Sequence, residues 1–173
     1  MHADARRDII QKFSAMLEGI KFVMFTTVRQ DGSLHSRPMV AQQQGFDGTL
    51  WFITSRRSHK VDELRREQHV NLAYSSSDDS RYVSVSGRAE VVRDRAKIDE
   101  LWSPAHLAWF PKGKDDPDIA LVAVQVEEVE YWDSSQAKMV PLIGFTKAVF
   151  TGERSLPEEH KQISLDPGKK RTA

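Results

Sequence analysis

Ile9 or Ile10, Phe13, Leu17 and Ile20 recur at three- and four-residue spacing and predict a helix over residues 4 to 18, closed near Gly19. Its one apolar stripe suits a helix lying as a lid on a sheet. The period then shortens. Lys21–Val28 is rich in aromatic and β-branched residues, Asp31-Gly32 marks a turn, and Leu34–Gln43 reads as the second arm of a hairpin. Asp47-Gly48 marks another turn before Leu50–Thr54, so three strands are expected in an antiparallel meander. Pro38 lies in the middle one. A residue without an N–H belongs at an edge, at a bulge, or beside a ligand that takes a partner strand's place.

His69–Ser75 reads as a strand, Ser76–Ser80 as a polar turn, and Arg81–Val92 as a longer strand. In the last, Val83, Val85, Ala89 and Val91 point one way and Tyr82, Ser84, Ser86, Arg88 and Glu90 the other, so one face is buried. Asp94 can cap a helix through Trp102, Ser103-Pro104 breaks it, and Ala105–Phe110 forms a further turn ending in Trp109-Phe110. Ile119–Val126 is apolar on both faces and continues with alternation to Trp132. Met139–Phe150 reads as a helix, and from Glu153 the chain is polar with a basic end, which predicts a domain over residues 1–152 and a mobile tail over 153–173. Six strands with few helices predict a mainly β fold: a small six-stranded antiparallel barrel with peripheral helices.

The 173 residues suffice for one domain with its own core. Basic and acidic side chains number 25 each, so no general pull towards nucleic acid or membrane is expected. There is no cysteine, which removes disulfides, thiolate metal sites and cysteine nucleophiles and fits a cytoplasmic setting. No apolar run approaches membrane-spanning length. The six histidines show no metal-ligand spacing, and neither a Gly-x-Ser-x-Gly elbow nor a Gly-x-Gly-x-x-Gly loop occurs.

What carries chemistry is the stretch from Leu50 to Arg66, a buried strand that turns directly into a short charged helix. Ser58 can cap that helix, Asp62 and Glu63 complement the positive end of its dipole, and Arg65 and Arg66 the negative end. N–H groups at its start, the Ser58 hydroxyl and the Lys60 ammonium would converge on a phosphate monoester. The plain alternative is a capped surface helix with solvated charges. Arg37, on the neighbouring strand, would reach the same anion if it shares a face with His35 and Met39, or else form a surface ion pair.

His35-Ser-Arg-Pro-Met39, Leu50-Trp-Phe-Ile-Thr-Ser55, Ser58-His-Lys60, Tyr82-Val-Ser-Val-Ser-Gly87 and Trp109-Phe-Pro111 together resemble the general stress protein branch of the pyridoxamine 5'-phosphate oxidase-like flavoproteins. The resemblance covers about residues 10 to 150 and implies a split β-barrel homodimer with FMN in the cleft between subunits, FAD being the second candidate. It implies that Arg37, Ser58 and Lys60 bind the FMN phosphate. Ile53 and Thr54 would run along the ribityl chain and ring with His59 close by, Pro38 and Met39 would offer backbone to the ring edge, and Trp109 or Trp132 would cover the ring from the partner subunit, a core role being the alternative for either tryptophan. Late aromatic residues (Trp109, Phe110, Trp132) also favour a homodimer on general grounds, because monomers seldom leave large apolar patches wet.

Two departures from the oxidases stand out. Gln42 occupies the place of a second-strand lysine, and the arginine-x-histidine pair that grips substrate near the C-terminus is missing, which argues against pyridoxal phosphate synthesis. The readings left are a flavin-dependent oxidoreductase, with NADH or NADPH as candidate reductants, a non-catalytic protein that buffers, carries or senses FMN, and a dimeric barrel whose cleft has lost its ligand.

Overall fold

A computed structural model describes residues 2–42, 46, 48–78, 80–133 and 159–164. Helix α1 (His2–Leu17) ends at Gly19, whose φ of 82° is the left-handed value that a glycine stop supplies. Its apolar stripe is buried as expected: Phe13, Leu17 and Ile20 are all under 10 % exposed. The Arg81 guanidinium donates to the carbonyls of Ala15, Met16 and Glu18, which satisfies the helix's C-terminal acceptors from the sheet.

Strands β1 (Phe22–Val28), β2 (Leu34–Val40), β3 (Thr49–Ser55), β4 (His69–Ser76), β5 (Arg81–Val92) and β6 (Ile119–Asp133) make one antiparallel sheet in the spatial order β2-β1-β4-β5-β6-β3. Between β3 and β4 lies α2 (His59–Arg66), and between β5 and β6 lie α3 (Arg95–Leu101) and a 3-10 turn at Pro104–Ala108. A seventh strand, β7 (Glu159–Ser164), pairs with the end of β6, within the segment expected as a tail. The helix expected over Met139–Phe150 lies outside the described residues.

The meander expected over the first three strands holds only for its hairpin. Asp31-Gly32 turns β1 into β2, with the Asp31 carboxylate accepting from the Ser33 N–H and hydroxyl. β3 instead pairs along its whole length with β6, at the opposite end of the sheet from β2. Alternation fixes which face of a strand is buried but does not choose its neighbour, and β6, apolar on both faces, offers β3 the longer apolar ladder.

All six strands send residues into one core, from Val23 and Phe25 through Met39, Leu72 and Val85 to Val124 and Phe52, so the sheet is curled around its own interior. Phe25 of β1 meets Phe52 of β3 edge to face at 5.3 Å across that interior. β5 bulges at Ser86/Gly87, where a Cβ on Gly87 would run into the Gln125 carbonyl. The curl brings the outer edges of β2 and β3 towards each other without joining them. That unpaired gap is the split in the barrel. It also accommodates Pro38, since β2 is an edge strand.

Candidate functional site

The gap between the two unpaired edges opens into a cleft of about 430 Å³, within the range of small-molecule sites. Pro38, Met39 and Val40 line it from β2, Ile53, Thr54 and Ser55 from β3. Ser58 and Lys60 close it at the start of α2. His106, Trp109 and Phe110 close it from the 3-10 segment, with Gln42 beside them.

At the α2 end two cations, Lys60 and Arg37, share a cluster with one carboxylate, Glu63. Lys60 Nζ donates to Thr54 Oγ1 at 2.8 Å, inside a largely apolar wall. Desolvation and the neighbouring charge of Arg37 hold the Lys60 ammonium below its usual pKa. Ser58 occupies the N-cap position, yet its hydroxyl makes no capping bond and lies 3.5 Å from Thr54 Oγ1. The expected cap is therefore a residue of cap backbone geometry whose side chain is not spent on the helix.

Arg37 is held from behind by a residue that sequence reasoning treated as a dipole charge. Glu63 is buried, and its carboxylate accepts from Thr27 Oγ1 at 2.5 Å and Arg37 Nη2 at 2.6 Å, with His35 Nδ1 3.3 Å away. Burial pushes its carboxyl up, but its hydrogen bonds, that from Thr27 first, and the Arg37 charge outweigh that and leave it below the usual carboxylate value. Arg37 Nη2 also lies 2.6 Å from His35 Nδ1. A guanidinium can only donate, so His35 Nδ1 accepts there. Nη1 of the same arginine is buried and has no partner. A buried donor left without a partner is costly, so Nη1 is a group that calls for an acceptor. The signal for Glu63 was available in the helical period: His59, Asp62, Glu63 and Arg66 share one face, the one turned to β1 and β2.

Of the residues expected at a cofactor, Pro38, Met39, Ile53, Thr54, Ser58, Lys60 and Trp109 meet at the cleft, and Arg37 stands behind it next to Lys60. His59 faces elsewhere, into a depression with Arg29, His35, Asp62 and Arg66, because it lies 100° from Lys60 around the helix. Trp132 is also distant: it lines a depression with Lys12, Met16 and Arg81 under α1. Trp109 is 62 % exposed, whereas Phe110 turns inward against Ile98, Leu101, Ile119 and Leu121, so the expected aromatic pair is divided between surface and core.

A sequence profile described as pyridoxamine 5'-phosphate oxidase-like matches residues 8–156. The chain belongs to that family. It is 30% identical to general stress protein 26 of Bacillus subtilis over 140 residues, which cover 79% of this chain and 97% of that one. The structure of a Jannaschia protein named for general stress protein 26 superposes with a TM-score of 0.68 at 25% identity, covering 91% of this chain and 99% of the other. A general stress FMN/FAD binding protein from Xanthomonas citri has a TM-score of 0.62 at 32% identity, covering 73% of this chain and 89% of the other. The fold is thus the split barrel of this family, and the cleft lies where its two edge strands part. Among the described residues no helix is long and apolar enough to cross a membrane.

Proposed function

We propose that this protein binds FMN in the cleft and uses it as an oxidoreductase cofactor. The observation that carries the reading is the buried, unpartnered Nη1 of Arg37, on the strand that lines the cleft opposite Ser58 and Lys60. Two cations kept close in a part-buried site fit a dianion, and the Ser58 hydroxyl adds a neutral donor. A phosphate monoester suits this set better than the pyrophosphate of FAD, which presents no terminal dianion. The flanking walls, Met39, Ile53, Phe110 and Trp109 with Pro38, suit a planar ring.

Bound FMN would supply hydride and single-electron transfer. The protein's own part is then to hold the phosphate with Arg37, Lys60 and Ser58, to keep Thr54 as the acceptor that orients Lys60, and to exclude water with the apolar walls. Mixing the FMN-loaded protein with NADH or NADPH in a stopped-flow instrument tests turnover. Rapid bleaching of the flavin band, followed by recovery with an acceptor, is expected. Flavin that stays oxidised would make the protein a binder instead.

The working unit in this reading is a cytoplasmic homodimer. Phe22 (61 %), Met24 (43 %), Leu34 (71 %) and Tyr82 (47 %) stand exposed on the outside of β1, β2 and β5, and a sheet face of this apolar character is stable when covered. Light scattering at micromolar concentration should give twice the chain mass, and a monomer would exclude this part of the reading.

A further inference from the structure

The chain leaves β3 at Ser55 and enters α2 at His59, so the turn between them delivers Ser58 and Lys60 to the cleft. Inside the turn, the Ser58 N–H donates to the Ser55 carbonyl at 3.1 Å and the Arg57 N–H to Ser55 Oγ at 3.1 Å. A second hold comes from Asp118, far away in the chain. Ser55 pairs with Ile119 at the end of the β3–β6 ladder, which sets Asp118 beside the turn where the ladder stops. Its carbonyl accepts from the Arg56 N–H at 2.8 Å, its Oδ2 accepts from the Ser55 hydroxyl at 2.5 Å, and its Oδ1 faces Arg57 Nε at 3.3 Å. Asp118 thus grips Ser55, Arg56 and Arg57 together.

Asp118 is itself held. Its N–H donates to Asp116 Oδ1 at 2.9 Å, the Ile119 N–H donates to the Asp116 carbonyl at 3.1 Å, and Pro117 between them has a fixed φ. The hydroxyl-to-carboxylate bond is charge-assisted and stronger than the neutral bonds around it. The ion pair with Arg57 adds little to global stability, because that side chain is 84% exposed. What the set fixes is local: the direction in which α2 starts, and with it the place of the Ser58 hydroxyl and the Lys60 stem. We propose that Asp118 is a positioning residue for the phosphate anchor, acting through the Ser55 hydroxyl to hold the β3–α2 turn ready before the ligand arrives. This rests on the FMN reading and deepens it, since it names what orders the anchor. A turn already ordered loses less freedom on binding, so its benefit falls on the phosphate and not on the ring. Charge alone predicts the opposite sign, because an anion near the anchor repels a phosphate and its removal would tighten FMN.

The test measures FMN and riboflavin affinity by flavin fluorescence for the full-length parent, Asp118→Ala, Asp118→Asn, Ser55→Ala and the double variant of the two alanine changes. Asp118→Ala should weaken FMN by about tenfold and leave riboflavin within about twofold of the parent. Asp118→Asn, whose amide oxygen still accepts from Ser55, should keep most of the FMN affinity. The double variant should lose no more than the worse single one, because both changes remove the same bond. Tighter FMN in Asp118→Ala would leave Asp118 only its charge, and equal losses for the two flavins would leave it only a general structural role; either result overturns the proposal. If Asp118→Ala does not fold, Ser55→Ala decides, and a parental ratio of the two affinities there overturns it. A parent that binds the two flavins equally removes the phosphate anchor and this proposal with it, whereas a parent that prefers FMN beside an Asp118→Ala variant that keeps the preference in full overturns the role of Asp118 alone.

Discussion

Arg37 and Lys60 are both assigned to the phosphate, but their environments make opposite predictions for the ligand-free protein. Arg37→Met leaves Glu63 buried with Thr27 and His35 as its remaining partners. Breaking a buried ion pair from one side costs about 3–5 kcal/mol. The two side chains are only 15% and 11% exposed, so water offers little relief, while the surviving Thr27 bond favours the lower end. A loss of about 3 kcal/mol in a chain of this size lowers the melting temperature by about 6–12 °C. Lys60→Met removes one bond to Thr54 but also a desolvated charge that Arg37 repels. Its melting temperature should equal or exceed the parent's, as expected where a functional group is held at the expense of stability. Both variants should lose about ten- to a hundredfold in FMN affinity, the worth of one charge-assisted bond. Differential scanning calorimetry without ligand, followed by flavin titration, reads both quantities. Equal melting temperatures for the two variants would refute the Glu63 bracing, and parental FMN affinity in both would refute the anchor.

Glu63→Gln should flatten the acid side of the stability profile. The folded carboxyl titrates below its ordinary 4.5, so its contribution is complete above that value and disappears as pH falls through the lower folded one, a loss that melting curves should show in the parent only. FMN affinity should fall as pH rises through the lowered pKa of ligand-free Lys60, because a bound dianion requires the charged form, and Lys60→Met should lack this alkaline limb in the same titrations. Gly87→Ala should lose about 3 kcal/mol in urea unfolding, because its Cβ would meet the Gln125 backbone and not a side chain that can turn away.

Strand limits were legible because burial follows the alternation: β5 buries Val83, Val85, Gly87 and Ala89 and exposes Tyr82, Ser86, Arg88 and Glu90. Helix ends at Gly19 and Asp94 were legible for a similarly local reason, and Asp94 does accept from the Lys97 N–H at 3.0 Å. The partner of β3 was not, because pairing between distant segments is chosen by the curl of the whole sheet. In the site, Ser58 and Lys60 were legible from a strand that turns at once into a helix. Glu63 was hidden because it looks like a surface group in its own segment and meets its partner, Arg37, from far away in the chain.

Calorimetric titration of the ligand-free protein with FMN and with riboflavin under identical conditions tests the central claim most directly, because the two ligands differ only in the phosphate. Two charge-assisted contacts from Arg37 and Lys60 predict FMN to be tighter by at least about a hundredfold. Riboflavin binding as tightly as FMN would mean that the buried guanidinium and the desolvated ammonium serve something other than a phosphate.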